Sequence, residues 1–438
     1  MQKRVVMQYW EEKVGNMDAD ERPDENRTIG YPEPDFDRLL ETFLTLVQID
    51  SPSYQEADVI AWVSQALTDE GCQVRTDNSA ELTGSNSGNL IAVLPAAGAC
   101  AASAAGAAPA ACAASAASAA SAAPAASAAS ASAAPARIYF SAHADTMQPG
   151  SGIVPVINNG IITSASDTIL GGDDKVGIAA IIETVRTLVK SGQPHPEIVI
   201  LISVAEEVGL KGSKAMDATD IGFAGEPCFV LDAGGEPGGV IIGAPFHIEY
   251  NAVFTGKASH AGVSPESGIS AIIMAANAIS NLPLGRLDSM TTANVGTIVG
   301  GSANNVLAES CTFTGEIRSL SQTKVEEVRD QVKSVLEAAA ADAGGTVNVE
   351  FNLAYHGFNL SEDDTLVQLV LNTARSLGLA AKASYTGGGS DANIFAGKGL
   401  NPVVLATGMT DVHSKDESLA VADLQNITRL LTAITCSF

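Results

Sequence analysis

Positive charge is scarce in this sequence. Only 24 of its 438 residues are Lys or Arg, against 50 Asp or Glu, giving a formal net charge of −26. Nucleic acids and anionic membranes are recognised by basic surfaces, so neither is expected as a partner. Patterned cysteine is lacking as well. Cys72, Cys100, Cys112, Cys228, Cys311 and Cys436 form no CxxC pair and keep no regular spacing. They read as free thiols of a reducing compartment, not as a disulfide framework. Residues 1–16 contain basic groups but no apolar run before Glu11 and Glu12. That is not a secretory signal, and the cytoplasm is the expected location. Long runs of large apolar side chains are also missing; the slightly positive mean hydropathy comes mostly from one Ala-rich segment.

What is present suits an ordinary globular chain of two or three domains. Hydrophobic residues make up 46% and charged residues 17%, enough to bury a sizeable core. Residues 1–34 are polar and without periodicity up to about Tyr31, and read as a mobile extension. From Asp35 to Val47, Phe36, Leu39, Leu40, Phe43, Leu44 and Val47 recur at three and four, which predicts an amphipathic helix. Residues 96–136 are almost entirely Ala, Ser, Gly, Pro and Cys. The flanking text reads as neighbouring strands of one sheet, which cannot lie on opposite sides of a bilayer. The segment is therefore read as a low-complexity insertion in a surface turn.

Beyond it the pattern is α/β. Apolar β-branched runs such as Glu197–Val204 suit a largely parallel sheet covered on both faces. Between residues 243 and 355 the order changes to strand, helix, strand, strand, helix, strand. This βαββαβ pattern predicts a split ferredoxin-like domain inserted into the first. The expected architecture is a mixed sheet with flanking helices, built from residues 35–242 and 356–438, plus that inserted domain.

Five acidic or imidazole motifs fall at carboxyl ends of predicted strands. His143 and Asp145 close a strand as His-Ala-Asp, and residues two apart on a strand face one side. Asp173 and Asp174, in Leu170-Gly-Gly-Asp-Asp-Lys-Val-Gly177, precede a helix. They suit either a helix start or a cation, because adjacent carboxylates repel phosphate. Glu206 and Glu207 follow the strand Ile198–Val204, where buried carboxylates need solvent, metal or a proton. Asp232 opens the Gly-rich turn Ala233–Glu236, and His413 lies in the loop Gly408–Glu417. Each has a bland reading as turn, cap or solvated loop. Together they are the hard oxygen and imidazole ligands that a two-zinc site needs.

In this order the motifs resemble those of the M20 family of dinuclear zinc peptidases, and more narrowly its tripeptidase (peptidase T)-like branch. The resemblance runs from about Asp35 to the C-terminus, apart from the Ala/Ser insertion. It implies that Asp173 bridges two zinc ions, with cobalt or manganese as substitutes. Glu207 and His413 would complete one ion, and His143 and Asp232 the other. Glu206 would be the general base, Asp145 would orient His143, and Asp174 would stand behind the ligands. The inserted domain is similar to the family's lid and dimerisation domain, implying a homodimer. Within it, His260 in Gly256–Gly262 resembles a histidine that contacts the scissile carbonyl. Arg318, in Gly315-Glu-Ile-Arg-Ser319, resembles an arginine for a substrate carboxylate. Asn304, Asn305, Gly388 and Ser390 resemble further substrate contacts. The implied reaction is hydrolysis of short peptides, with Asp232 leaning toward an aminopeptidase acting on tripeptides. The competing readings are an amidohydrolase of N-acyl amino acids and a metal-binding scaffold without catalysis; an intact Glu206 counts against the latter.

Overall fold

The computed structural model describes residues 30–98 and 136–438. Most of the expected N-terminal extension and of the Ala/Ser insertion lies outside the described residues, as do Cys100 and Cys112. The chain forms two compact units. One comprises the chain up to Val240 with Asp363–Ala383 and Gly399–Phe438; the other comprises Ile241–Glu362 with Ser384–Lys398.

In the first unit, helix α1 (Phe36–Val47) starts where the Asp35 side chain accepts the Arg38 N–H at 3.2 Å. Its apolar stripe of Leu39, Leu40, Phe43, Leu44 and Val47 is buried, as the spacing predicts. Helix α2 (Ala57–Asp69) follows. Strands β1 (Gln73–Thr76) and β2 (Leu90–Leu94) pair antiparallel, and β2 runs antiparallel to β6 (Glu197–Ser203). From β6 the sheet continues in parallel through β3 (Arg137–His143), β7 (Pro227–Ala233) and β16 (Asn401–Ala406). Both β3 and β6 are buried from their second residue to their last, as strands covered on two faces must be. Helix α3 (Gly172–Ser191) packs on β3, β7, α1 and the final helix α8 (Val421–Thr435), and it is buried on nearly every side. Four parallel strands thus deliver their carboxyl ends to one side of the sheet, the place where open α/β sheets bind ligands.

A small antiparallel sheet stands apart, in the order β17 (Met409–Thr410), β18 (Ser418–Ala420), β5 (Ile161–Ser164), β4 (Pro155–Asn158). The loop joining β17 to β18 carries His413. The flanks of the Ala/Ser insertion are both anchored on one short connector. Ala97 and His195 exchange main-chain hydrogen bonds at 3.0 and 3.2 Å, and the Glu197 N–H donates to the Ala136 carbonyl at 3.1 Å.

The second unit has the expected βαββαβ order: β9 (Phe246–Thr255), α4 (Ala271–Asn281), β11 (Thr291–Gly300), β12 (Ser310–Ser319), α5 (Gln322–Asp342), β13 (Thr346–Tyr355). The strands are antiparallel in the order β11-β12-β9-β13, with two-residue β10 (Gly285–Arg286) on the outer side of β11. This is the ferredoxin-like arrangement. Phe254, Phe313, Met274, Val332 and Leu336 form its core. Strand β8 (Gly239–Ala244) carries the chain into this unit, and β14 (Phe358–Asn359) pairs with its end. Helix α6 (Thr365–Ser376) returns to the first unit and β15 (Lys382–Tyr385) leaves it again.

Chain order alone assigns Ser384–Lys398 to the catalytic part, yet it belongs to the second unit. There Asn393, on helix α7 (Asp391–Gly397), donates to the main-chain oxygens of Pro245 and His356 at 3.2 and 2.8 Å. None of the four described cysteines is bridged. Among the described residues no helix is long and apolar enough to cross a membrane.

Candidate metal and active site

Asp173 stands between two imidazoles. Its Oδ1 lies 3.1 Å from His143 Nε2, and its Oδ2 lies 3.2 Å from His413 Nε2. Each imidazole has a second carboxylate beside it. Asp232 Oδ1 is 3.7 Å from His143 Nε2, and Glu207 Oε2 is 3.1 Å from His413 Nε2. The five residues implied as ligands, from five separate stretches of chain, therefore converge. Two groupings have ligand atoms within 4.8 Å of one another: His143, Asp173 and Glu207, and His143, Asp174 and Asp232.

Local structure explains the convergence. His143 ends β3 and is nearly fully buried, with Nδ1 2.9 Å from the Asp145 main-chain oxygen. With Nδ1 donating there, the ring turns Nε2 toward the carboxylates, as a metal-ligating histidine requires. Asp173 and Asp174 have non-helical φ/ψ at the start of α3 and are joined by a cis peptide. Asp174 is fully buried and accepts the N–H groups of His143 at 3.3 Å and Gly177 at 3.1 Å. A Cβ on Gly177 would sit 2.6 Å from Asp174 Oδ1, so only glycine leaves room for that carboxylate. His413 has φ 63 on its hairpin loop and is half exposed.

Asp145 makes further contacts besides those to His143. Its carboxylate accepts the Glu206 N–H at 2.8 Å, the Glu207 N–H at 3.2 Å and the Ser53 hydroxyl at 2.7 Å. His143 Nδ1 is 3.6 Å from Oδ1, so the ring is held mainly by the main-chain oxygen. Asp145 thus ties the His-Ala-Asp turn to the Glu-Glu turn. Glu206 itself is nearly buried.

The electrostatics follow from packing anions and imidazoles together. Burial opposes charge on His143, but Asp145, Asp173 and Glu206 outweigh it and hold its pKa well above the usual value. His413 is raised to about 10 by its hydrogen bonds to Asp173 and Glu207. Burial works to raise Asp173, but the two imidazoles hold it below the usual carboxylate range. Burial pushes Asp174 well up. Glu207 Oε1 is buried and has no hydrogen-bond partner among the described residues. A carboxylate shared by two imidazoles and an orphaned buried oxygen beside it fit divalent cations, which would neutralise this excess of anions.

Several residues that serve this site escape sequence reasoning. Lys175 is fully buried, its Nζ 2.5 Å from Ser51 Oγ, and burial lowers its pKa to about 8. Ser51 in turn donates to the Ala144 main-chain oxygen at 2.8 Å. Glu56 is fully buried, accepting the Ala205 N–H at 3.0 Å and the Ser85 hydroxyl. Glu417 is buried against the start of α3. No motif marks these residues. Lys175 and Glu417 lie inside the stretches around Asp173 and His413 without a signal of their own, and Glu56 lies far from any of them.

The remaining expected residues lie in the second unit and form two groups. His260 is exposed and bridges to Val306, and the Ala261 N–H donates to the Asn305 main-chain oxygen at 2.9 Å, so His260 adjoins the exposed Asn304 and Asn305. Arg318 forms a fork with Glu316, Nε to Oε1 at 3.1 Å and Nη2 to Oε2 at 3.0 Å. Its Nη1 reaches the Tyr355 hydroxyl at 3.0 Å and the Gly387 carbonyl at 3.2 Å. The Gly388 N–H donates to Thr386 Oγ1 at 3.1 Å, and Ser390 caps α7 by accepting the Ala392 N–H at 3.3 Å. Arg318 and Ser390 thus already hold protein partners.

Comparison with known proteins agrees with this anatomy. Residues 243–344 match the peptidase dimerisation domain of M20 proteins, and residues 125–222 match peptidase family M28. Fold and site together define a peptidase with an inserted dimerisation domain. The aminopeptidase PepT of Bacillus cereus has a solved structure that superposes with a TM-score of 0.80 at 36% identity, covering 92% of this chain and 98% of that one. A tripeptidase of Staphylococcus aureus superposes with a TM-score of 0.79 at 29% identity, covering 92% and 99%. The protein YqjE of Bacillus subtilis is 36% identical over 397 residues, 91% of this chain and 97% of its own. The chain belongs to the M20 family of metallopeptidases, in its peptidase T-like branch.

Proposed function

We propose that this protein is an aminopeptidase that hydrolyses short peptides, tripeptides foremost, with two zinc ions held by His143, Asp232, Asp173, Glu207 and His413. The observation that carries this reading is the placement of Asp173, one carboxylate oxygen toward each imidazole. The aminopeptidase and tripeptidase named above favour the substrate class. Two zinc ions (or cobalt or manganese) supply, when bound, a water acidified toward neutral pH and positive charge beside a developing oxyanion.

The protein's own residues do the rest. The Glu206 carboxylate accepts the proton of the attacking water and returns it to the leaving amine. Asp145 fixes the backbone of that glutamate through its N–H and so sets where the base stands. For the exposed His260 we propose a hydrogen bond to the oxyanion, and for Arg318 an ion pair with the peptide's carboxylate terminus. The dimerisation-domain match supports a homodimer through the second unit. The edge of β11 beyond its pairing with β10 supports it as well, because Ile298 and Val299 are exposed there, Val299 by 74%. The four described cysteines, all unbridged, favour a reducing, cytoplasmic setting.

The test is to load the full chain with zinc, count metal by elemental analysis, and compare free tripeptides, N-blocked tripeptides and N-acyl amino acids. About two zinc ions per chain and cleavage of the free tripeptide alone are expected. Preferential cleavage of the N-acyl amino acid would replace the reading with an amidohydrolase. Light scattering gives the oligomeric state in the same preparation.

A further inference from the structure

We propose that Glu417 is a positioning residue that sets the bridging carboxylate, Asp173, against His413. This inference rests on the two-metal reading above and deepens it. Glu417 is almost fully buried. Its Oε2 accepts the Gly171 N–H at 2.8 Å and its Oε1 accepts the Asp173 N–H at 3.0 Å, across more than two hundred residues of chain. Asp173 and Asp174 are non-helical, and the regular part of α3 is capped by Asp174, which accepts the Gly177 N–H at 3.1 Å, so the Gly171 and Asp173 amides ahead of it need another acceptor. The Glu417 carboxylate supplies that acceptor and so holds the turn that leads into α3. Gly172 lets it approach, because a Cβ there would stand 3.1 Å from Glu417 Oε1.

The consequence for the site comes from where Glu417 is carried. It lies on the same hairpin loop as His413, closed by the pairing of Met409 with Leu419 and Thr410 with Ser418. One end of that loop delivers an imidazole to the Asp173 side chain; the other end grips the Asp173 main chain. The separation of two ligands from distant parts of the sequence is thereby fixed within a single closed ring of contacts. Partners standing behind metal ligands are typically worth 10–100-fold in metal affinity or activity.

The experiment measures zinc affinity of the full chain by competition with a chelating dye, for the parent, Glu417→Ala, Glu417→Gln and Asp173→Asn. Visible spectra of the cobalt-loaded proteins are recorded alongside. Glu417→Ala should weaken zinc binding about 10–100-fold and change the cobalt spectrum, with kcat falling and KM little moved. Glu417→Gln keeps one acceptor oxygen and should lie between parent and alanine variant; it carries the test if Glu417→Ala fails to fold. A merely structural glutamate would lower only the thermal midpoint. Parent-like zinc affinity and cobalt spectrum in the Glu417 variants, with Asp173→Asn impaired, would overturn the proposal alone. If Asp173→Asn also bound zinc like the parent, the two-metal reading would fall with it.

Discussion

Glu206 and Glu207 are neighbours in sequence with their N–H groups on one carboxylate, yet the proposed function gives their side chains separate tasks. Glu207 Oε2 faces His413, and its Oε1 is buried without a partner among the described residues. Glu206 is the candidate base. Glu206→Gln keeps shape and removes proton uptake, so kcat should fall about 10²–10⁴-fold while metal content holds. Glu207→Gln should instead make activity depend on added zinc, as metal titration of both variants will show. A second residue-scale prediction concerns His195, buried in the connector before β6 with Nδ1 2.8 Å from the Pro196 oxygen. Burial lowers its pKa below the usual 6.5. The unfolded chain then takes up its proton first, so this contribution to stability, present above about pH 6.5, is lost as pH falls toward the folded pKa. Urea unfolding at about pH 7.5 and about pH 5.5 should show a smaller acid loss for His195→Gln than for the parent. At this scale the sequence was legible where chemistry demands a residue type. The candidate ligands stand in short acidic or imidazole motifs, whereas Glu417, Glu56 and Lys175 are defined by contacts with distant chain that no local pattern records.

Elements were read more completely than their edges. The ferredoxin-like unit was legible because its helices and strands are long enough to show their periods. Helix α1 was legible from Leu39, Leu40, Phe43 and Leu44 alone. The small sheet of β4, β5, β17 and β18 was not, since strands of two to four residues show no period, and yet it presents His413. Strand β12 offers the sharpest test of an element's function, because the Arg318 fork is filled by Glu316 two residues before it. On the role proposed for Arg318, a substrate carboxylate must exchange with that glutamate. Arg318→Ala should raise KM for free-carboxylate peptides about tenfold or more and leave amidated peptides nearly unaffected, and Glu316→Gln should lower KM. On the neighbouring loop, His260→Ala should lower kcat about 10²–10³-fold. Steady-state kinetics on paired free and amidated peptides separates these effects, and an unchanged KM in both strand variants would return Arg318 to a structural role.

For the whole molecule, the connector His195–Glu197 is the feature with the widest reach. It receives the chain at Ala97 and again at Ala136, so the ends of the Ala/Ser insertion are held a few residues apart whatever lies between them. Replacing residues 99–135 by a short Gly/Ser turn should leave kcat and thermal midpoint close to the parent values. A large loss of folded protein would show that the segment packs on the domain. The physical reason is that closure entropy grows only with the logarithm of loop length, about 0.6 kcal/mol per doubling. A site with both flanks clamped behaves as a splice point. Repeats can accumulate or disappear there during replication with little selection through folding. The same tolerance makes the position a natural socket for a reporter, such as a fluorescent domain or affinity handle, genetically installed within the catalytic domain itself.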